Sequence, residues 1–262
     1  MPMPRCARRT RPTCRPSTIG LLRGRTWSTS PAAWTSATLR GSEMGIAERR
    51  ERERLQRRQL ILEAARRVFF RCGFRQATME QIAQEAELGK ATLYDYFGSK
   101  EELYVALLEE GLRLLDAHME QVEQHYRTRP VREAIHAMAQ AYVRFAQEQP
   151  EYFVLLMHVS TALELPLERV PQELLQRLHA LQEQAVLRGT ALVLRGIREG
   201  IFPEWSVPER VIAQFWVILT GAIALARHPY RMRLLEGVSV EELVRELVEL
   251  FICGWQWQRE RS

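Results

Sequence analysis

Lysine is almost missing from this chain: of its 37 basic residues only Lys90 and Lys100 are lysine, and all others are arginine. That bias matches GC-rich codon usage and excludes no fold. Cysteine is scarce too. Its 4 cysteines, Cys6, Cys14, Cys72 and Cys253, have neither metal-site nor disulfide spacing. A zinc framework and a disulfide scaffold are therefore excluded, and a reduced, cytoplasmic protein is expected. Cys72 and Cys253 fall in apolar helical settings and are expected to be buried free thiols. No apolar run is long enough for a membrane span. Val211 to Ala226 is the longest, interrupted by Gln214 and Thr220, and it suits a buried helix. Period-two alternation is absent, which excludes a β fold. No nucleophile–base pair, phosphate loop or metal cluster is visible, so neither an enzyme nor a cofactor is expected. His118 and His125 share a helix face without a third metal ligand at a recognisable spacing.

What is present begins with charge. The formal net charge of +5 resembles a nucleic-acid signature until it is located. Residues 1–43 hold eight arginines (5, 8, 9, 11, 15, 23, 25 and 40) against the single acid Glu43. The remaining chain is slightly acidic. This front segment has no helical or strand periodicity and too little apolar surface to offset the entropy of ordering, so disorder is expected. It can be read as a basic arm adding DNA affinity, as an organelle transit peptide, or as sequence upstream of a true start at Met44. The last reading is the expectation.

The most punctuated stretch runs from Thr78 to Leu103. Thr78 with Gln81 makes a capping box that opens one helix, whose apolar face is Ile82, Ala83 and Ala86. Glu87-Leu88-Gly89 breaks the pattern, and Gly89 caps a second helix from Lys90 to Phe97. Gly98 is expected to stop it in the left-handed conformation. Ser99 with Glu102 forms a second capping box. Two short helices, a tight turn and a third helix start predict a helix-turn-helix. With Leu93 and Phe97 inward, the helical period points Ala91 and Asp95 outward, places Thr92 and Tyr94 on the flanks and leaves Lys90 in the first turn. A small residue on the outer face lets a helix enter the major groove, and flanking hydroxyls reach phosphates.

Residues 57–104 closely resemble the DNA-binding domain of the TetR family of bacterial transcriptional regulators. The resemblance rests on Ile61-Leu62-x-Ala64-Ala65, Phe69 with Gly73-Phe74, Thr78 with Ile82-Ala83 and Ala86, Thr92-Leu93-Tyr94-x-Tyr96-Phe97, and Lys100-Glu101-x-Leu103. Glu87, Gly89 and Ala91 stand where the family commonly has Gly, Ser or Thr, and Gly. The resemblance implies that Thr78, Thr92, Tyr94, Tyr96 and Lys100 hold phosphates, while Lys90, Ala91 and Asp95 face bases. Asp95 has two open accounts. It accepts a hydrogen bond from a cytosine or adenine amino group, or it pairs with Arg75 or Lys90 and orients that residue.

The fold expected is all-α. Residues 44–104 form an N-terminal three-helix helix-turn-helix domain, and 105–262 a helical effector-binding and dimerisation domain. A helix from Ser99 to about Gln124 would be shared by both. Further helices are predicted near 131–148, 151–164, 171–199, 207–227 and 239–259, separated by prolines and glycine. The stripes Ile212/Phe215/Leu219/Ala222 and Leu243/Leu247/Leu250/Phe251/Trp255 are the candidates for a four-helix homodimer interface, as the resemblance implies. Tyr142, Phe145, Met157, His158 and Trp216 are candidate effector contacts, favouring an apolar or aromatic small molecule over a sugar or nucleotide. The function expected is a repressor released from a palindromic DNA operator by that effector. The alternative is a helical protein-interaction module with a vestigial helix-turn-helix.

Overall fold

The computed structural model describes the backbone of residues 32–161, 166–227 and 237–260, with side chains from 45 onward except 158–161. Among the described residues there are nine α-helices and no strand. They are α1 (Ala32–Gln76), α2 (Met79–Glu85), α3 (Lys90–Tyr96), α4 (Lys100–Tyr126), α5 (Val131–Glu148), α6 (Pro150–Thr161), α7 (Gln172–Arg198), α8 (Pro208–Ala226) and α9 (Val240–Glu260). A 3-10 turn, Leu167–Arg169, precedes α7. The chain divides into two compact units, Met1–Glu51 and Arg52–Ser262. In the first, residues 32–51 are helical. Helix at 32–43 departs from the expectation of disorder there: Ala32, Ala33, Ala37 and Leu39 are good helix formers just after Pro31. Residues 1–31 lie outside the described residues.

In the second unit one hydrophobic core includes residues from Ile61 to Trp255, and Val122, Met138 and Ala141 form a smaller one. The axis of the larger is α4. Leu103 to Leu108 are six consecutive residues, all buried, so this turn and a half is covered on every side. Phe69 and Phe74 near the end of α1 pack on it at Tyr104, and α4 also packs against α5, α6 and α7. Gly73 lets α1 reach that core. Its φ of 75° kinks the helix end and swings Phe74 onto Tyr104, with ring centroids 4.9 Å apart. Phe69 closes the trio at 5.3 Å from Tyr104. Burial pushes the Tyr104 hydroxyl up to about 12.

α2 and α7 end in the same way. In each, the second residue past the cap donates to the carbonyl five residues back (Leu88 N to Ala83 O, 2.9 Å; Ile201 N to Gly196 O, 2.8 Å). A bond that spans three residues lies inside it (Glu87 N to Gln84 O, 3.1 Å; Gly200 N to Ile197 O, 3.1 Å). This Schellman arrangement needs a left-handed residue. Gly200 supplies it in α7, whereas Glu87 is forced to φ 56° in α2. Cys72 is half-buried, its thiol on the Val68 carbonyl at 3.2 Å. Cys253 is exposed, against expectation, because α9 turns that face out of the core. By length and composition one helix among the described residues, Pro208–Ala226, could cross a membrane. Its apolar character is spread over two faces: Val211, Leu219, Ala222 and Ile223 are buried, while Trp216 and Val217 are exposed.

Candidate nucleic-acid interface

α2 is opened by the full capping box. Gln81 N donates to Thr78 Oγ1 at 3.2 Å and Thr78 N donates to Gln81 Oε1 at 3.0 Å. The Thr78 hydroxyl accepts in this bond and also hydrogen-bonds the Glu80 carboxylate, which helps to lower that carboxyl. Arg67 and Arg71 of α1 grip Glu85 at 2.7 and 3.1 Å. Their hydrogen bonds hold the Glu85 carboxyl below its ordinary range. These two arginines are thereby drawn into fixing α2.

α3 starts from Gly89, extended at φ −66° and ψ 146° with no side-chain cap. Leu93 and Phe97 are buried beneath it, and Arg58 of α1 lies 4.7 Å above the Phe97 ring. Gly98, expected to be left-handed, is not. The helix instead ends where Phe97 turns extended (φ −142°, ψ 119°) and drives its ring into the core. Gly98 N then donates to Glu102 Oε2 at 2.8 Å, and Glu102 N to Ser99 Oγ at 3.0 Å. The second capping box is therefore displaced by one residue on its return bond.

The outer surface of α3 presents Lys90, Ala91, Tyr94 and Asp95 as exposed residues, with Thr92 and Tyr96 half-buried at its flanks. Lys90 pairs with Glu80 of α2 and stands 5.9 Å over the Tyr94 ring. The pairing lowers the Glu80 carboxyl and raises the Lys90 ammonium. Asp95 is not paired with Lys90 or Arg75. Among the described residues it has no hydrogen-bond or ion-pair partner. Lys100 does not stand free to meet a phosphate. Its ammonium donates to the carbonyls of Phe74 (3.0 Å), Arg75 (3.4 Å) and Ala77 (3.1 Å). It also sits 4.6 Å from the Phe74 ring centre. Three donors on three carbonyls use all that an ammonium has. Lys100 therefore closes the end of α1 and fixes the turn into α2.

A second site lies farther along α4. A cavity of about 210 Å³ is walled by α4, α5, α7, α8 and α9 together with Phe202. Tyr142 and Trp216 line it, as expected. Tyr142 is anchored by its hydroxyl on Thr220 Oγ1 at 3.1 Å. Phe145 does not line it: it is fully buried core, 6.0 Å from the His118 ring. Met157 packs against the core outside the cavity, and the His158 side chain lies outside the described residues. Sequence reading missed Leu112, Leu115 and Met119 of α4, Gly189 and Leu192 of α7, and Ile212 and Phe215 of α8. Ile212 and Phe215, expected at a dimer interface, are turned inward to this cavity. The small residue was the available signal: a Cβ on Gly189 would come within 2.9 Å of Ile212 Cδ1.

Comparison with known proteins gives the following likenesses. A family model described as "Bacterial regulatory proteins, tetR family" matches residues 61–107. A second, "Tetracyclin repressor-like, C-terminal domain", matches 135–251. The uncharacterised HTH-type transcriptional regulator YhgD of Bacillus subtilis is 40% identical over 70 residues, 25% of this chain and 37% of YhgD. The HTH-type transcriptional activator FasR of Mycolicibacterium smegmatis is 33% identical over 125 residues, 46% of this chain and 56% of FasR. These curated relatives are thus matched over a third to little more than half of their own length. Among solved structures, the TetR-family regulator PfmR of Thermus thermophilus superposes with a TM-score of 0.57 at 24% identity, over 73% of this chain and 96% of PfmR. FadR of Bacillus subtilis, solved in complex with stearoyl-CoA, gives 0.55 at 17%, over 75% and 98%. At such identities the structural likeness shows the fold.

Proposed function

The chain belongs to the TetR family of bacterial transcriptional regulators, and from that premise we propose that it is a cytoplasmic homodimer, not an enzyme, that represses transcription until a small molecule releases it from a palindromic operator. The observation that carries this reading is the outer surface of α3. Lys90, Ala91, Tyr94 and Asp95 are solvent-facing on a helix whose other side is locked by Leu93 and Phe97. Ala91 at the centre admits the helix to the major groove, and the hydroxyls of Thr78, Thr92, Tyr94 and Tyr96 reach the walls. Asp95, with no protein partner, reads a cytosine N4 or adenine N6 amino group. Lys100 acts by shaping the turn rather than by holding DNA.

α4 supports the coupling. It leaves the helix-turn-helix at Ser99 and contributes Leu112, Leu115 and Met119 to the cavity. Filling the cavity tilts α4 and changes the separation of the two recognition helices in the dimer. The dimer surface is the outward side of α8 and α9. Val217, Leu250 and Trp257 are exposed there, and Gly221 and Gly254 open onto free space that permits close helix crossing. The effector is largely apolar, because the cavity is, and an acyl compound of the kind bound by FadR would suit it. A mobility-shift assay against two-fold symmetric sequences upstream of the gene tests the proposal. Retardation by a site with half-sites about 34–36 Å apart, reversed by an effector, is expected. Failure to bind any such site would refute it.

A further inference from the structure

The cavity is almost wholly apolar, yet Asp116 and Arg188 stand in its wall. The Arg188 side chain is one-tenth exposed, and both its bonded nitrogens face α4. Nη1 contacts Asp116 Oδ1 at 2.7 Å and donates to the Asp116 carbonyl at 3.2 Å, while Nε contacts Glu123 Oε2 at 2.8 Å. Asp116 and Glu123 are seven residues apart, two turns along one face of α4. Among the described residues Nη2 has no hydrogen-bond partner. Removing an arginine this far from water is costly, and the carboxylates on α4 rather than the apolar wall offset that cost. Packing alone would have been better served by an aliphatic residue.

A second cavity, of about 300 Å³, shares Met138, Arg188 and Leu192 with the first. Its rim adds Arg127, Arg195 and Arg198 against a single carboxylate, Glu123. Arg195 is committed, donating to the carbonyls of Tyr126, Arg127 and Arg129 and pairing with Glu199 at 3.2 Å. Arg127 and Arg198 are exposed, and among the described residues their guanidinium groups hold no partner. An apolar chamber and a basic chamber thus meet at one guanidinium.

We propose that Arg188 anchors the head group of the effector, and that the effector is an anionic amphiphile with an apolar body in the first cavity and a carboxylate or phosphate at the Arg188 end. This rests on the reading of the first cavity as the effector site. The anion takes the free Nη2 donors and competes with Asp116 and Glu123 for the others. Because both competitors belong to α4, binding at Arg188 loosens α7 from the helix that carries the recognition unit. Arg127 and Arg198 balance the added charge.

Calorimetry on the full chain without DNA tests this, using decanoate, decyl phosphate and decanol. Either anion should bind about tenfold more tightly than decanol, the worth of a charge-assisted hydrogen bond. Arg188→Gln should abolish that preference, so that the anions bind that variant no more tightly than decanol does. Arg188→Lys, which keeps the charge, should retain part of it. Asp116→Asn removes a competing carboxylate and should strengthen both anions. Equal binding of decanol, a preference that survives Arg188→Gln, or no binding of any probe overturns the proposal. The readout needs no operator. A protein that binds decanoate through Arg188 but recognises no DNA would leave this site standing and sink the regulatory reading instead.

Discussion

Between Thr78 and Glu102 the caps and turns are made by residues three to five positions apart, as in Thr78 with Gln81 and Glu102 with Gly98. The cavity is the opposite case. Its wall draws on five helices, and Asp116 meets Arg188 across 72 positions. One region is specified by neighbours in sequence, the other by neighbours in space. The difference teaches where variation can be tolerated. None of the residues that line the cavity belongs to α1, α2 or α3, so the lining can change one residue at a time without touching the recognition surface.

That separation can be broken deliberately. The largest effect is expected from Ala91→Glu, which sets a carboxylate among phosphates, a like-charge juxtaposition costing several kcal/mol. DNA affinity should fall on the order of 100-fold or more, while ligand binding in the cavity and helical content stay unchanged in calorimetry and circular dichroism. Gly189→Leu is the converse change. Its Cβ would meet Ile212 and its side chain would enter the cavity, lowering stability by about 1–3 kcal/mol in urea unfolding. Ligand binding should be lost, while the protein that remains folded still binds DNA.

Two smaller effects sharpen the comparison. Thr78→Ala removes an N-cap worth about 1 kcal/mol and should weaken DNA binding in proportion to the loss of α2. The paired helix ends supply the finest test. Glu87→Gly relieves a left-handed glutamate and should stabilise by up to about 1 kcal/mol, whereas Gly200→Ala imposes the same strain on α7 and should destabilise by about 1–2 kcal/mol. Equal signs in thermal unfolding would show that the two caps are not equivalent.

Locality also explains what the sequence disclosed. Capping boxes, the Gly89 start and the inward Leu93 and Phe97 are signals that lie within a turn or two of one another, and helix periodicity placed α5 to α9 to within a few residues. The role of Lys100 was hidden because its partners lie elsewhere in the sequence, and that of Gly98 because Phe97, rather than a left-handed glycine, ends α3. Phe97 turns inward and frees Gly98 from a left-handed role, and three carbonyls near the end of α1 take the Lys100 ammonium. Tyr142 and Phe145 look alike in sequence on α5, yet one lines the cavity and the other is solid core. Three residues along a helix is most of a turn, and only the packing of α4, α7 and α8 decides which side is hollow. Arg188 carried no sequence signal among so many arginines.

The central claim is that α3 reads DNA as one half of a two-fold pair. Selection from a random double-stranded library by the full-length protein tests it directly, with Ala91→Glu run in parallel. Two enriched half-sites related by two-fold symmetry, their centres about 34–36 Å or a multiple of that apart, are predicted for the wild type, and no enrichment for Ala91→Glu. An unenriched wild-type library, or the same enriched sequence with Ala91→Glu, would contradict the account.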